Sequence, residues 1–152
     1  MNSKAIALRV LAIGACLALS GPAFAEKITM KVNLTGAAQV PPNTSPGKGT
    51  ADVTYDTASK MLTWKTTYSG LTGPATMAHF HGPAEAGKNG PVAVPFKDAA
   101  SGAEGSATLT DAQAADLMAG KLYINVHTAA NPGGEIRGQV TKYINSTTWC
   151  KK

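Results

Sequence analysis

Lys27-Ile28-Thr29-Met30-Lys31-Val32-Asn33-Leu34 alternates strictly, with Ile28, Met30, Val32 and Leu34 to one side and Lys27, Thr29, Lys31 and Asn33 to the other. Successive side chains of an extended chain leave opposite faces, so this period of two marks a strand with one buried and one wet face. Similar strand signals recur at residues 50–55 and 61–69, joined by Asp56-Thr57-Ala58-Ser59-Lys60 as a hairpin connection. Between the first two strands, Gly36 to Gly49 carries Pro41, Pro42 and Pro46. Proline has no N–H to give to a ladder, which bars this stretch from a central strand. Gly70 to Pro74 turns the chain into a strand around His79 and His81, followed by a loop over 83–91. Further strands are expected at 92–96, 104–109, 121–127 and 135–143, the last two separated by the turn Asn131-Pro132-Gly133-Gly134.

One segment breaks the pattern. Thr110 followed by Gln113 is a capping box, Ala112, Ala114, Ala115, Leu117 and Met118 favour helix, and Gly120 suits its stop. About eight short strands with Gly- and Pro-rich turns predict an all-β fold: an antiparallel Greek-key (immunoglobulin-like) β-sandwich with one short connecting helix. No repeat, low-complexity tract or second domain interrupts it.

The N-terminus reads as an export signal. Lys4 and Arg9 precede an apolar run from Ile6 to Leu19, and Ala23-Phe24-Ala25 is an A-x-A cleavage pattern. The apolar run is too short for a convincing membrane span. Residues 1–25 are therefore expected to leave as a signal peptide near Ala25, with residues 26–144 forming one domain and 145–152 a C-terminal tail. That implies a periplasmic or secreted protein. Processing at Cys16 as a lipoprotein is the competing reading, and the better cleavage site downstream argues against it. Without Cys16, Cys150 has no intrachain partner, so the apolar core must hold the fold unaided. Cys150 is then a free tail thiol or a bridge in a homo-oligomer. Asn145-Ser146-Thr147 fits a glycosylation sequon but reads as tail.

The formal charge is +5, or +3 once Lys4 and Arg9 are set aside, and the basic residues are scattered. A scattered mild positive charge argues against a nucleic-acid partner and is compatible with small anions. Gly87-Lys88-Asn89-Gly90 is a turn without the helix and Lys-Ser/Thr of a phosphate loop, and no G-x-S-x-G is present.

All three histidines of the chain fall in two strand stretches, His79 and His81 in the first and His127 in the second. Residues two apart on a strand share a face with Cβ atoms about 7 Å apart. Neutral imidazoles offer lone pairs, so His79 and His81, joined by His127 from a neighbouring strand, make a candidate three-nitrogen metal site. If Leu122, Ile124 and Val126 point inward, then Tyr123, Asn125 and His127 point the other way. Nitrogen-only ligation fits copper, nickel or zinc, and the affinity order favours one copper ion over zinc. Met77, two residues before His79 on the same face, is a candidate axial or nearby ligand, or simply a packing residue at the strand's end. Trp64, Tyr68, Phe80 and Tyr123 read as core or sheet-face aromatics.

The runs Val40-Pro41-Pro42, Ser69-Gly70-Leu71-Thr72-Gly73-Pro74, Ala78-His79-Phe80-His81-Gly82-Pro83-Ala84, Asn89-Gly90-Pro91-Val92 and Asn125-Val126-His127-Thr128 resemble the CHRD domain, named for chordin. The last continues into Asn131-Pro132-Gly133-Gly134-Glu135-Ile136-Arg137-Gly138-Gln139, the most distinctive stretch of that family. The resemblance covers about residues 28 to 141 and implies an exported β-sandwich without fixing one activity. Many members carry Glu where Gln39 stands here. A second resemblance is to the copper half of copper–zinc superoxide dismutases, which implies His79, His81 and His127 as copper ligands and Arg137 as a guide for the anion. The chain lacks a fourth histidine to bridge two metals, the zinc-loop ligands and the structural disulfide, so a zinc partner site is not expected. Together these readings point to an exported copper-binding protein and a candidate copper-dependent superoxide dismutase, with superoxide or another small anion as partner. The rivals are a non-catalytic binding or adhesion module and a copper carrier. For Arg137 the plain alternative to anion guidance is an ion pair with Glu135 or an acidic loop residue.

Overall fold

The computed structural model describes residues 26–142. It contains eight antiparallel strands: β1 (Lys27–Thr35), β2 (Lys48–Asp56), β3 (Met61–Ser69), β4 (Ala75–His81), β5 (Val92–Pro95), β6 (Glu104–Thr108), β7 (Tyr123–Thr128) and β8 (Ile136–Gln139). One helix, α1 (Asp111–Met118), joins β6 to β7. The sequence locates all of these elements to within a few residues. The helix starts as expected: the Thr110 hydroxyl accepts from the Gln113 amide at 3.2 Å, and the Gln113 side chain accepts from the Thr110 amide at 3.0 Å. Only the short 3-10 turn Gly36–Ala38, in a stretch read as plain loop, was not foreseen.

The strands hydrogen-bond in the order β5-β4-β7-β8-β1-β2-β3-β6, a single nearly closed antiparallel sheet. The sandwich expectation implied two separate sheets. Instead the ladder passes from one half to the other through β8 and β1, which share a single register pair, Thr35 with Arg137. The halves fold against each other around the core. Trp64 of β3 meets Phe80 of β4 edge-on at 5.1 Å between ring centres, and Phe96 packs on both. The alternation of β1 explains its share: Met30, Val32 and Leu34 are buried, and each such side chain stabilises the fold by about 1.5–3 kcal/mol. Leu117 of α1 and Leu122, Ile124 and Val126 complete the same core.

Strand β7 is buried along its whole length, Tyr123, Asn125 and His127 included. Its inner residues face the core, so its outer residues must be covered by something else. The cover is loop: Gln39, after the 3-10 turn, donates to Asn125 at 2.7 Å, Gly90 donates to the Tyr123 hydroxyl at 3.1 Å, and Asn125 donates to the Gly133 carbonyl at 3.2 Å. Among the described residues no helix is long and apolar enough to cross a membrane. The signal segment, Cys16, Cys150 and the sequon lie outside the described residues.

A three-histidine cluster on the covered face

Strands β4 and β7 pair antiparallel with Met77 opposite His127, His79 opposite Asn125 and His81 opposite Tyr123. On the shared outer face this register makes His79 the diagonal neighbour of His127, within reach of ring-sized side chains. The structure brings all three histidines together: one ring nitrogen from each lies within 4.8 Å of the others. His79 Nδ1 and His127 Nε2 are 3.3 Å apart.

Backbone carbonyls set two of the rings. His127 Nδ1 lies 2.9 Å from the Pro132 carbonyl, and His81 Nδ1 lies 3.1 Å from the Gly90 carbonyl. A carbonyl only accepts, so both Nδ1 atoms carry the proton and both Nε2 atoms keep a lone pair. The Nε2 of His81 is buried and has no hydrogen-bond partner among the described residues. Buried polar atoms are almost always satisfied, so an orphan on one of three clustered imidazoles fits an arrangement that a metal ion could complete. Burial pushes the His79 pKa below its ordinary value, and the neighbouring His127 and His81 push it further. For His81, burial again lowers the pKa, the Gly90 hydrogen bond opposes this, and His127 and Arg137 add to the lowering. Depressed pKa values keep these rings uncharged and able to ligate at neutral pH.

Met77 sits in register opposite His127 and is half exposed. Arg137 stands apart from the cluster. Its guanidinium carbon lies 3.5 Å from the centre of the Tyr123 ring, while His81 stacks on that ring at 5.0 Å and 8°. Because β7 runs between β4 and β8, Tyr123 separates the arginine from the histidines. Arg137 does not pair with Glu135. It donates instead to the Asn89 side chain at 2.9 Å and the Lys88 carbonyl at 2.6 Å, and only 2% of it is exposed.

Glu135 has a separate task that the sequence did not reveal. It is fully buried and accepts from Ser45, from the Thr72 amide and hydroxyl, and from Thr128, all at 2.6–2.7 Å. Burial acts to raise its pKa, but these hydrogen bonds outweigh it and hold the group at about 2. The carboxylate thereby ties the 43–47 and 70–74 loops to the end of β7. Tyr123, Asn125 and Gln39 were also missed as site-supporting residues. The available signal was the outer row of β7, Tyr-Asn-His, which lacks the Lys and Thr typical of a wet face.

The fold and cluster define a class: an antiparallel all-β domain with a three-imidazole group able to hold a metal ion. The CHRD domain model matches residues 30–140, and the chain belongs to the CHRD domain family. No curated protein and no solved structure matches it.

Proposed function

We propose that this CHRD domain protein is exported and binds one copper ion through His79, His81 and His127. The observation that carries the reading is the buried, unpartnered Nε2 of His81 beside two further imidazole nitrogens. His127 and His81 would present Nε2 and His79 would present Nδ1. The donor set is neutral and all nitrogen, which by ligand type and affinity order favours copper over zinc. When bound, copper supplies one-electron exchange with a small anion such as superoxide. The protein's own part is to fix the rings through Pro132 and Gly90 and to shield the inner side of the site with β7. Met77 remains a neighbouring thioether in this reading, supported by its position opposite His127. Arg137 contributes a fixed positive charge behind Tyr123, drawing small anions by its field and not by contact.

The rest of the reading follows from the sequence: residues 1–25 as a cleaved leader, 26–144 as the domain and 145–152 as a tail. The edge-on contact of Trp64 with Phe80 across the core and the β3–β4 and β5–β6 crossings between halves support describing the domain as a Greek-key sandwich.

Copper titration with electron paramagnetic resonance is the direct test. One equivalent should bind with hyperfine structure from imidazole nitrogen, and His127→Ala should abolish that spectrum. Copper bound identically by the variant would remove the site. A copper-loaded protein that leaves superoxide untouched would rule out dismutation and leave a carrier.

A further inference from the structure

Arg137 is a buried cation with no carboxylate paired to it among the described residues, the buried Glu135 being bonded to Ser45, Thr72 and Thr128 instead. The ion pairs among the described residues are Lys31–Asp52, Lys60–Asp111, Lys65–Glu104 and Lys121–Glu85, and Arg137 enters none of them. Taking a guanidinium out of water is costly unless a partner compensates it. The Tyr123 ring covers one face of it, and the Asn89 side chain and Lys88 carbonyl accept from two nitrogens. A guanidinium has five N–H groups in a planar fork, so these two bonds leave donors over.

Arg137 and Gln139 line a cavity of about 500 Å³ whose walls include none of the three histidines. Its remaining walls are mostly apolar: Ala37, Ala38, Val40, Pro42 and Ala86, joined by the amide of Gln39. Gln39 is itself 6% exposed and bonded to Asn125, the register partner of Arg137. A concave, apolar space of this size with one buried charged group is the usual make-up of a small-molecule site.

We propose that this cavity binds a small monocarboxylate with an apolar body, its carboxylate on the free edge of Arg137 and its body between the 37–42 and 86–87 segments. The planar fork matches a carboxylate. The apolar walls disfavour a strongly hydrated inorganic anion such as phosphate. The site is separate from the histidine cluster and does not depend on any metal.

The test is amide NMR on the chelator-treated protein, titrated with benzoate, with neutral benzamide and with inorganic phosphate. Benzoate should give saturable shifts at Ala38, Gln39, Val40, Gly87 and Arg137 with a millimolar Kd, the strength expected of a ligand with few heavy atoms. Benzamide and phosphate should bind at least about tenfold more weakly, since neither offers both the charge and the apolar body. Gln39→Glu sets a carboxylate in the cavity wall and should weaken benzoate at least about tenfold through competition for Arg137. Ala86→Phe, on an exposed loop, narrows the cavity without touching β8 and should also weaken it. Shifts confined to Met77, His79 and His127, equal binding of benzamide, or unchanged benzoate affinity in Ala86→Phe would each overturn the proposal.

Discussion

The two halves of the sheet share one core and treat their outer faces in opposite ways. On β1, β2 and β3 the outward row includes Lys31, Asp52, Thr63 and Lys65, open to solvent, and the half-buried Thr54, with Lys31–Asp52 as a loose exposed ion pair at 3.6 Å. On β4, β7 and β8 the outward row is His79, His81, Tyr123, Asn125, His127, Arg137 and Gln139, roofed by loops and mostly buried. The difference is what a β-sheet needs in order to hold chemistry. An open face solvates its polar groups, whereas a covered one fixes tautomers, shifts pKa values and buries an atom such as His81 Nε2 with no partner among the described residues. The cover comes from proline- and glycine-rich loops, which are themselves anchored by the buried Glu135.

The comparison can be broken most forcefully at that anchor. Glu135→Ala strands several donors at about 1–3 kcal/mol each, so a loss of roughly 4 kcal/mol in urea unfolding is expected. The wild-type carboxylate is held at about 2 against an ordinary 4.5, so its contribution is complete above pH 4.5 and disappears as pH falls towards 2. Glu135→Gln should flatten that acid limb, and an unchanged limb would deny the carboxylate its anchoring role.

Next in size is the covered face itself. His127→Ala should lower copper affinity by at least about 100-fold, since losing even an outer partner of a metal ligand costs 10–100-fold. Competition with a calibrated chelator measures it. The same assay on Thr63→Ala of the open face should show no change.

Two adjacent glycines sharpen the comparison further. Gly134 has φ +123°, and a methyl there would run into the Asn125 side chain, whereas a methyl on Gly133 meets open space. Gly134→Ala should cost about 1–3 kcal/mol in strain and loosen the loop whose Pro132 carbonyl holds His127. Gly133→Ala should stay within about 0.5 kcal/mol. Equal thermal shifts would mean that the loop is not fitted to the strand beneath it. Smallest of all, Asp52→Ala on the open face should change stability by no more than about 1 kcal/mol, and less in high salt.

Much of this was legible in the chain. The period of two in residues 27–34 and the Thr110–Gln113 capping box are local signals, because face alternation and end-capping depend on neighbours a few residues away. His79 and His81 could be put on one face for the same reason. That His127 joins them required the β4–β7 register, which a sequence does not state. Arg137 shows the limit most clearly. The resemblance to copper–zinc superoxide dismutases implied a guide for the anion near the histidines, and only the structure shows the Tyr123 ring lying between Arg137 and His81.

By itself the sequence determined the strands, the helix, the family and which residues could ligate, since each is set by side-chain type and short-range spacing. Only the tertiary structure decided which polar groups are buried together, that Glu135 anchors the loops, and that a cation lies beside an apolar cavity. Many of the deciding contacts join residues far apart in the chain, such as His79 with His127, Arg137 with Asn89 and Glu135 with Ser45, and those arise only when the loops close over the sheet.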